Sequence, residues 1–227
     1  MQEKIAKAIE LLKKRSIDEF EVYGSLSDNI RAESKECSMG SLVRSNESGI
    51  SIRVLIDGAM GFAYGAEATG ELIDSAITSA RYQFKDGHNC FPSYENRYAT
   101  MDVFDPSVEL VGPEVCISRA IALEQASRDA DARIDQVRKA SFSRTVSDVR
   151  IVNSHGIDVT ARLSFVSASV MVMAKQDDDT QSGYDFDFSH SAGSVDVEKI
   201  GKQAARRATD MLSARKIQTG KYPMVFD

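Results

Sequence analysis

The sequence predicts an α/β (α+β) fold in which duplicated strand-rich units, each closed by a helix, form two lobes with mixed or antiparallel sheets. Three observations carry this. Four segments place their apolar residues at the helical period, and the stretches between them switch to a period of two. A short motif, Asn-x-x-Gly-Ile, occurs at 46–50 and again at 153–157.

The first helix is expected over Gln2 to Arg15, with Ile5, Ala8, Ile9 and Leu12 on one face. A second follows Thr69, whose hydroxyl suits an N-cap, and turns Leu72, Ile73, Ala76, Ile77 and Ala80 inward. A third opens at Pro113, a residue preorganised for the first helical position, and carries Cys116, Ala120, Leu123 and Ala130 on one stripe. The fourth runs from about Asp196 to Leu212, with Val197, Ile200, Gly201, Ala204, Ala205, Ala208, Met211 and Leu212 inside. Its small residues predict a close approach to a sheet.

Alternation of Ile50, Ile52, Val54 and Ile56 with polar neighbours predicts a strand ending at Asp57-Gly58, a tight-hairpin dipeptide, with a return over Met60 to Tyr64. In the second half Ile157 to Phe165 hold one phase and Val166 to Val172 the other, so a bulge near Phe165 is expected. Tyr184, Phe186 and Phe188 share one side of a later strand, opposite Asp185 and Asp187. Read as a duplication, each block runs from strands, at about Glu19 and about Asp135, through the Asn-x-x-Gly-Ile turn and a strand pair to a helix. The expected organisation is a lobe over 1–84, an extended connector over 85–112, a second lobe over 113–220, and a final piece over 221–227, with three of the four prolines, Pro92, Pro106 and Pro113, falling between Lys85 and Pro113.

Composition narrows the function. With 42% apolar and 27% charged residues, 14 Gly and 4 Pro, the chain has a globular balance. The first fifteen residues lack the apolar run of a signal peptide, and no stretch has the roughly 20 apolar residues of a membrane span, so a soluble, cytoplasmic protein is expected. A net charge of −6 opposes direct nucleic-acid binding, because phosphate affinity comes mainly from clustered cations. Lys13-Lys14-Arg15 and Arg206-Arg207 read as solvated charges near helix ends. Three widely spaced cysteines, Cys37, Cys90 and Cys116, read as reduced thiols, not as a disulfide framework or zinc ribbon.

The search for chemistry nominates no catalytic, cofactor-binding or metal residue. Thr219-Gly220-Lys221 lacks the upstream glycine and following hydroxyl of a phosphate loop, and Gly58, Gly61 and Gly65 are spaced for a hairpin, not for a dinucleotide. His88, His155 and His190 are isolated, with none in a helical His-Glu-x-x-His pair. His155 reads as an exposed turn residue, with Ser48 in the matching place of the first copy. His190 beside Asp185 and Asp187, and Asp177-Asp178-Asp179, read as solvated acids, not a cation site. No Gly-x-Ser-x-Gly elbow marks a nucleophile, and Cys116 lies on an apolar helix face.

The carboxy-terminal residues carry a resemblance. Gly201 to Ala208, followed by Leu212-Ser-Ala-Arg-Lys-Ile-Gln-Thr-Gly-Lys-Tyr-Pro-Met-Val-Phe-Asp227, together with Asn153-Ser154-x-Gly156 and the hairpin from Asp57 to Gly65, resemble the PmbA (TldE) branch of the TldD/PmbA metalloprotease family. The resemblance spans nearly the whole chain but includes no catalytic signature. It implies a heterodimeric cytoplasmic protease acting on peptides and unstructured polypeptides, with an older name of modulator of DNA gyrase. It places zinc only in a TldD-type partner, through a His-Glu-x-x-x-His helix, and no such residue maps onto this sequence. It also implies that 221–227 begin a missing carboxy-terminal domain, and the apolar pattern of Tyr222 to Phe226 independently reads as a strand seeking a partner. The expected role is the amino-terminal part of a non-catalytic subunit, partnered by a TldD-like subunit or by self-association. The alternative is a stand-alone protein-binding regulatory module without proteolysis.

Overall fold

A computed structural model describes residues 1–95, 99 and 101–225. The chain runs α1 (Gln2–Lys14), β1 (Phe20–Lys35), β2 (Ser38–Ile56), β3 (Ala59–Gly65) and α2 (Gly70–Arg81). After a connector it continues as α3 (Pro113–Asp129), β4 (Ile134–Asn153), β5 (Asp158–Gln176), β6 (Asp179–Ser189) and α4 (Val197–Asp210). The six strands form one antiparallel sheet in the order β3-β2-β1-β4-β5-β6. Each unit is therefore a helix, three strands and a helix, and the two units join side by side where β1 pairs with β4.

Helices cover one face of the sheet, and two core clusters lie under them. Ile5, Ala8, Leu12, Val22, Ile52, Val54, Ile73 and Ala76 belong to the first, and Ala140, Phe142, Val170, Val172, Leu123, Ile200 and Ala204 to the second. Amphipathic elements pack this way because alternate strand residues and one helix stripe are the only contiguous apolar surfaces they offer.

The duplication is present, but at a different register from the one the repeated motif predicts. Asn46 to Ile50 lie inside β2 with no turn, paired to β1, whereas Ser154 to Gly156 form the β4–β5 turn. The pair Ser27–Glu47 corresponds to Thr145–Phe165, and Val54–Gly61 to Val172–Gly183, so β1 and β2 precede their counterparts by a constant 118 positions (145 − 27 = 165 − 47 = 172 − 54). Under this register the counterpart of His155 is Cys37, not Ser48. The third strand of each unit carries the clearest signature. A Cβ on Gly61 would overlap the Ala76 carbonyl oxygen and come within 2.8 Å of Ala80, and one on Gly183 would overlap the Ala204 carbonyl oxygen and come within 2.5 Å of Ala208 N. Gly61 is thus required by the approach of α2. In the hairpin, positive φ falls on Asp57 and Gly58 and not on Gly61 or Gly65.

Other expectations shift locally. β5 keeps its register through Phe165, and the irregularities fall instead at Glu33/Ser34, Ile134/Gln136 and Val137/Lys139. Even-numbered residues from Ser164 to Ala174 stay under the helices, while Phe165 faces the other side and is 38% exposed, so a one-sided sheet explains the apparent phase change. On α3 the buried stripe continues through Glu124 and Ser127, not Ala130, and beyond α4 Leu212 is buried but Met211 exposed. Residues 221–225 form no strand, and Phe226 and Asp227 lie outside the described residues.

The connector is built into the molecule. Asp86 N and Asn89 Nδ2 donate to Gly58 O, Phe91 is buried, and Asn153 Nδ2 donates to Pro92 O at 2.8 Å. Farther along, Ser164 N donates to Val103 O, and a 3-10 turn at Pro106–Leu110 buries Val108, with Val111 close behind.

The predicted cap at Thr69 forms, with Oγ1 accepting from Leu72 N, and α4 is capped as well, by Asp196 Oδ1 accepting from Glu198 N and Lys199 N. Asp196→Ala removes the acceptor for two orphan donors, so urea denaturation should show a loss of about 1 kcal/mol. An unchanged midpoint would assign the start of α4 to packing alone.

A hydroxyl-lined sheet face as the candidate functional surface

The face of the sheet opposite the helices is built from the odd-numbered residues of β1, β2, β4 and β5, and it is rich in hydroxyls. Ser27 and Ser147 Oγ atoms lie 2.7 Å apart, Ser143 and Ser167 2.9 Å, and Ser141 and Ser169 3.0 Å. Thr145 Oγ1 donates to Asn29 Oδ1 at 2.8 Å, and Asn29 Nδ2 donates to Ser45 Oγ at 3.4 Å. The ladder crosses four strands because directly opposed residues of antiparallel neighbours share a face. Its signal stands in the sequence as a hydroxyl at every second position over Ser141, Ser143, Thr145 and Ser147, a period-two pattern that a search for apolar alternation passes over.

Aromatic side chains border the ladder on both edges of the sheet. Phe62 and Tyr64 on β3 have ring centroids 6.0 Å apart at 32°, and Tyr184 and Phe186 on β6 repeat this at 5.8 Å and 31°. Phe188 continues the second row, and Tyr64 is 77% exposed. Tyr184, Phe186 and Phe188 thus share one side as expected, with Asp185 turned to the helix side, where Arg207 pairs with it at 2.9 Å.

The ion pairs on this face sit at its ends, whereas Glu47 lies near its middle, opposite Ser27, and accepts from Ser45 Oγ at 3.2 Å. Glu21 pairs with Arg53, whose guanidinium lies 5.7 Å from the Phe91 ring centroid. At the other end Glu33 is 3.5 Å from Arg31 and 3.2 Å from Lys139. The surface between can exchange hydrogen bonds with neutral groups and stack on flat or apolar ones. Among the described residues each of these paired serines is hydrogen-bonded to another serine.

The three histidines are dispersed among separate structural duties. His155 Nε2 lies 3.3 Å from Glu19 Oε1 in the β4–β5 turn, which Asn153 Oδ1 holds by accepting from His155 N and Ile157 N. His190 Nδ1 is 2.7 Å from the Ser164 carbonyl oxygen, and His88 N donates to Asp86 Oδ1. Among the described residues no three His, Cys, Asp or Glu side chains converge as a metal-binding group, so the donor set does not fit zinc. Burial pushes the Cys116 thiol up to about 11, and burial followed by the Glu124 charge raises that of Cys37. Both thiols stay protonated at neutral pH.

One buried ionic site lies off this face, at the tip of the β1–β2 hairpin. Glu124 of α3 is fully buried and accepts from Ser34 Oγ at 2.6 Å, Cys37 N at 3.1 Å and Arg128 Nη2 at 2.8 Å. Burial raises its pKa, but the bonds from Ser34, Arg128 and Cys37 and the Arg128 charge outweigh that, leaving it below the ordinary glutamate value.

Residues 106–212 match the profile of the PmbA/TldA metallopeptidase central domain, and 39–81 that of PmbA/TldA metallopeptidase domain 1, together about two-thirds of the chain. The Metalloprotease PmbA of Escherichia coli O157:H7 is 25% identical over 236 residues, an alignment covering 100% of this chain and 51% of that protein. Among solved structures, a Bacteroides thetaiotaomicron protein bearing a DNA gyrase modulator designation aligns with a TM-score of 0.83 and 21% identity, covering 97% of this chain and 52% of that one. TldE from Thermococcus kodakarensis aligns at 0.72 and 18% identity, over 89% and 47%. The chain thus spans about half the length of these relatives. A duplicated helix-and-three-strand unit with two matching domain profiles makes this chain a member of the TldD/PmbA family, over the first and central domains and on the PmbA (TldE) side.

Proposed function

We propose that this chain is the amino-terminal part of a PmbA/TldE-like, non-catalytic subunit that works in the cytoplasm with a TldD-type, zinc-bearing partner on peptides and unstructured polypeptides. The observation that carries the proposal is the open sheet face: a hydroxyl ladder between two aromatic rows, with ion pairs at its ends and the Glu47 carboxylate near its middle. Such a face contacts neutral, extended chains and forms the wall of a chamber without supplying a bond-breaking group. The same face would also serve the second reading, a regulatory binding module without proteolysis.

Purification with a TldD-type subunit, with zinc and peptidase activity measured on each component, tests both. The expected result is a stable complex whose zinc and activity follow the TldD-type subunit. Stoichiometric zinc and peptidase activity in this chain alone would overturn the proposal. A different stable partner with no TldD-type subunit would favour the regulatory module.

A further inference from the structure

The constant 118-position offset of β1 and β2 lets each exposed residue of these strands be compared with a counterpart in β4 and β5. In the second unit β6 pairs with β5 only from Val166 onward. The connector covers the remaining edge of β5: Ser164 N donates to Val103 O at 2.9 Å, and Asp105 N donates to Ser164 Oγ at 2.8 Å. Two further contacts fix this segment to Arg162. Its guanidinium lies 4.8 Å from the Phe104 ring centroid and donates to Glu109 Oε1.

In the first unit β3 pairs with β2 only over Ile50 to Ile56, and among the described residues no strand pairs with the same side of Ser38 to Gly49. Subtracting 118, the counterparts of Ser164 and Arg162 are Asn46 and Arg44. Leu55 N donates toward β1, so odd residues of β2 face β1 and the N–H and C=O groups of Leu42, Arg44 and Asn46 point outward. Leu42 is 40% and Val43 56% exposed, one on each face beside this edge. The Arg44 side chain is 59% exposed, and its one ion-pair contact among the described residues is with Asp28, at 3.6 Å. The first unit thus has the edge, the polar residue and the arginine. Among the described residues it has no counterpart of the extended segment, of the Phe104 ring or of the Glu109 carboxylate that complete them in the second.

The geometry points to a strand-addition site along Leu42–Asn46 that takes an extended segment of another polypeptide bearing an aromatic and an acidic side chain, with Arg44 as its ionic anchor. Backbone hydrogen bonds supply generic affinity for an extended chain, and the arginine supplies charge complementarity. This site lies on the strand edge, separate from the hydroxyl face, and does not depend on the proteolytic reading.

The chain's own connector provides the probe, a labelled synthetic peptide with the sequence of residues 101–110, Met-Asp-Val-Phe-Asp-Pro-Ser-Val-Glu-Leu. Titrated against the full chain, it should bind saturably below about 1 mM and protect the Leu42, Arg44 and Asn46 amides from hydrogen exchange. Arg44→Glu should weaken binding about tenfold or more, and Gln in place of the peptide's Glu109 several-fold. Because Arg44 also pairs with Asp28, a urea midpoint of Arg44→Glu checks that the fold is kept, and Asn46→Pro gives a second variant that leaves that pair in place and removes one outward donor. No saturable binding, protection elsewhere, or unchanged affinity in Arg44→Glu would overturn the site. Protection of these amides that rises with protein concentration, without peptide, would assign the edge to a second copy and overturn the choice of occupant.

Discussion

Gly183→Ala is expected to destabilise the protein by about 3 kcal/mol, the upper range for overpacking a filled interior. The added Cβ would overlap the Ala204 carbonyl oxygen and stand 2.5 Å from Ala208 N, and both are main-chain atoms of α4. A flexible side chain could swing aside. A helix backbone must translate as a body, which opens its contacts with β5 and α3. Gly61→Ala repeats the experiment on α2 with Ala76 and Ala80, and a comparable loss is expected. Gly65→Ala is the control, since its nearest neighbour is Leu72 Cδ1 at 3.5 Å and the change should stay within about 0.5 kcal/mol. Urea denaturation midpoints at unchanged slope report all three. Equal effects at Gly65 and Gly183 would show that helix approach is not what requires these glycines.

Removing the Glu124 carboxylate should be of similar size. Glu124→Ala takes a fully buried acceptor from the Ser34 hydroxyl, the Cys37 N–H and the Arg128 guanidinium, of which Arg128 keeps partial access to water. Breaking one side of a buried ionic group costs about 3–5 kcal/mol. The backbone adds to this: Glu36 and Cys37 both sit at φ 55°, left-handed and without glycine, and the Glu124–Cys37 bond helps hold that turn. Glu124→Gln keeps an acceptor and should lose less. Its pH dependence is the sharper measurement. The folded pKa of Glu124 lies below the ordinary 4.5, so its contribution is complete above that pH and drains away as pH falls through the lower, folded value. The stability gap between the native chain and Glu124→Gln should therefore be widest above about pH 5 and narrow on acidification. A gap constant from pH 7 to strongly acidic conditions would mean the carboxylate is not ionised in the fold.

Local periodicity revealed the elements, because the four helix stripes and the Asp57-Gly58 turn depend on neighbours in sequence. Thr69 and Asp196 cap for the same reason. What periodicity could not supply was the register between units. Asn46 to Ile50 resembles Asn153 to Ile157 in letters, yet one is mid-strand and the other a turn, since β1 turns back at Glu36-Cys37 without any glycine to mark it. The family was readable from the segment after Gly201 and the hairpin at Gly58, while the hydroxyl face and the bare β2 edge were not. Serines on alternate positions carry no apolar signal, and whether an edge is covered depends on where a distant connector runs. Glu124 was invisible too, because two of its three partners come from a hairpin about ninety positions earlier.

The pairing of β1 with β4 also governs how the chain leaves the ribosome. Residues that face each other at Asp28 and Val146 are synthesised 118 positions apart. At roughly 5–20 residues per second, the inner edge of the first hairpin waits about 6–24 s for its partner. Throughout that interval the nascent chain displays the backbone of β1, including Val22, Ile30 and Ala32, with no neighbouring strand on that side. Slowing translation between codons 85 and 134 should therefore increase trigger-factor-type chaperone engagement and aggregation of nascent chains.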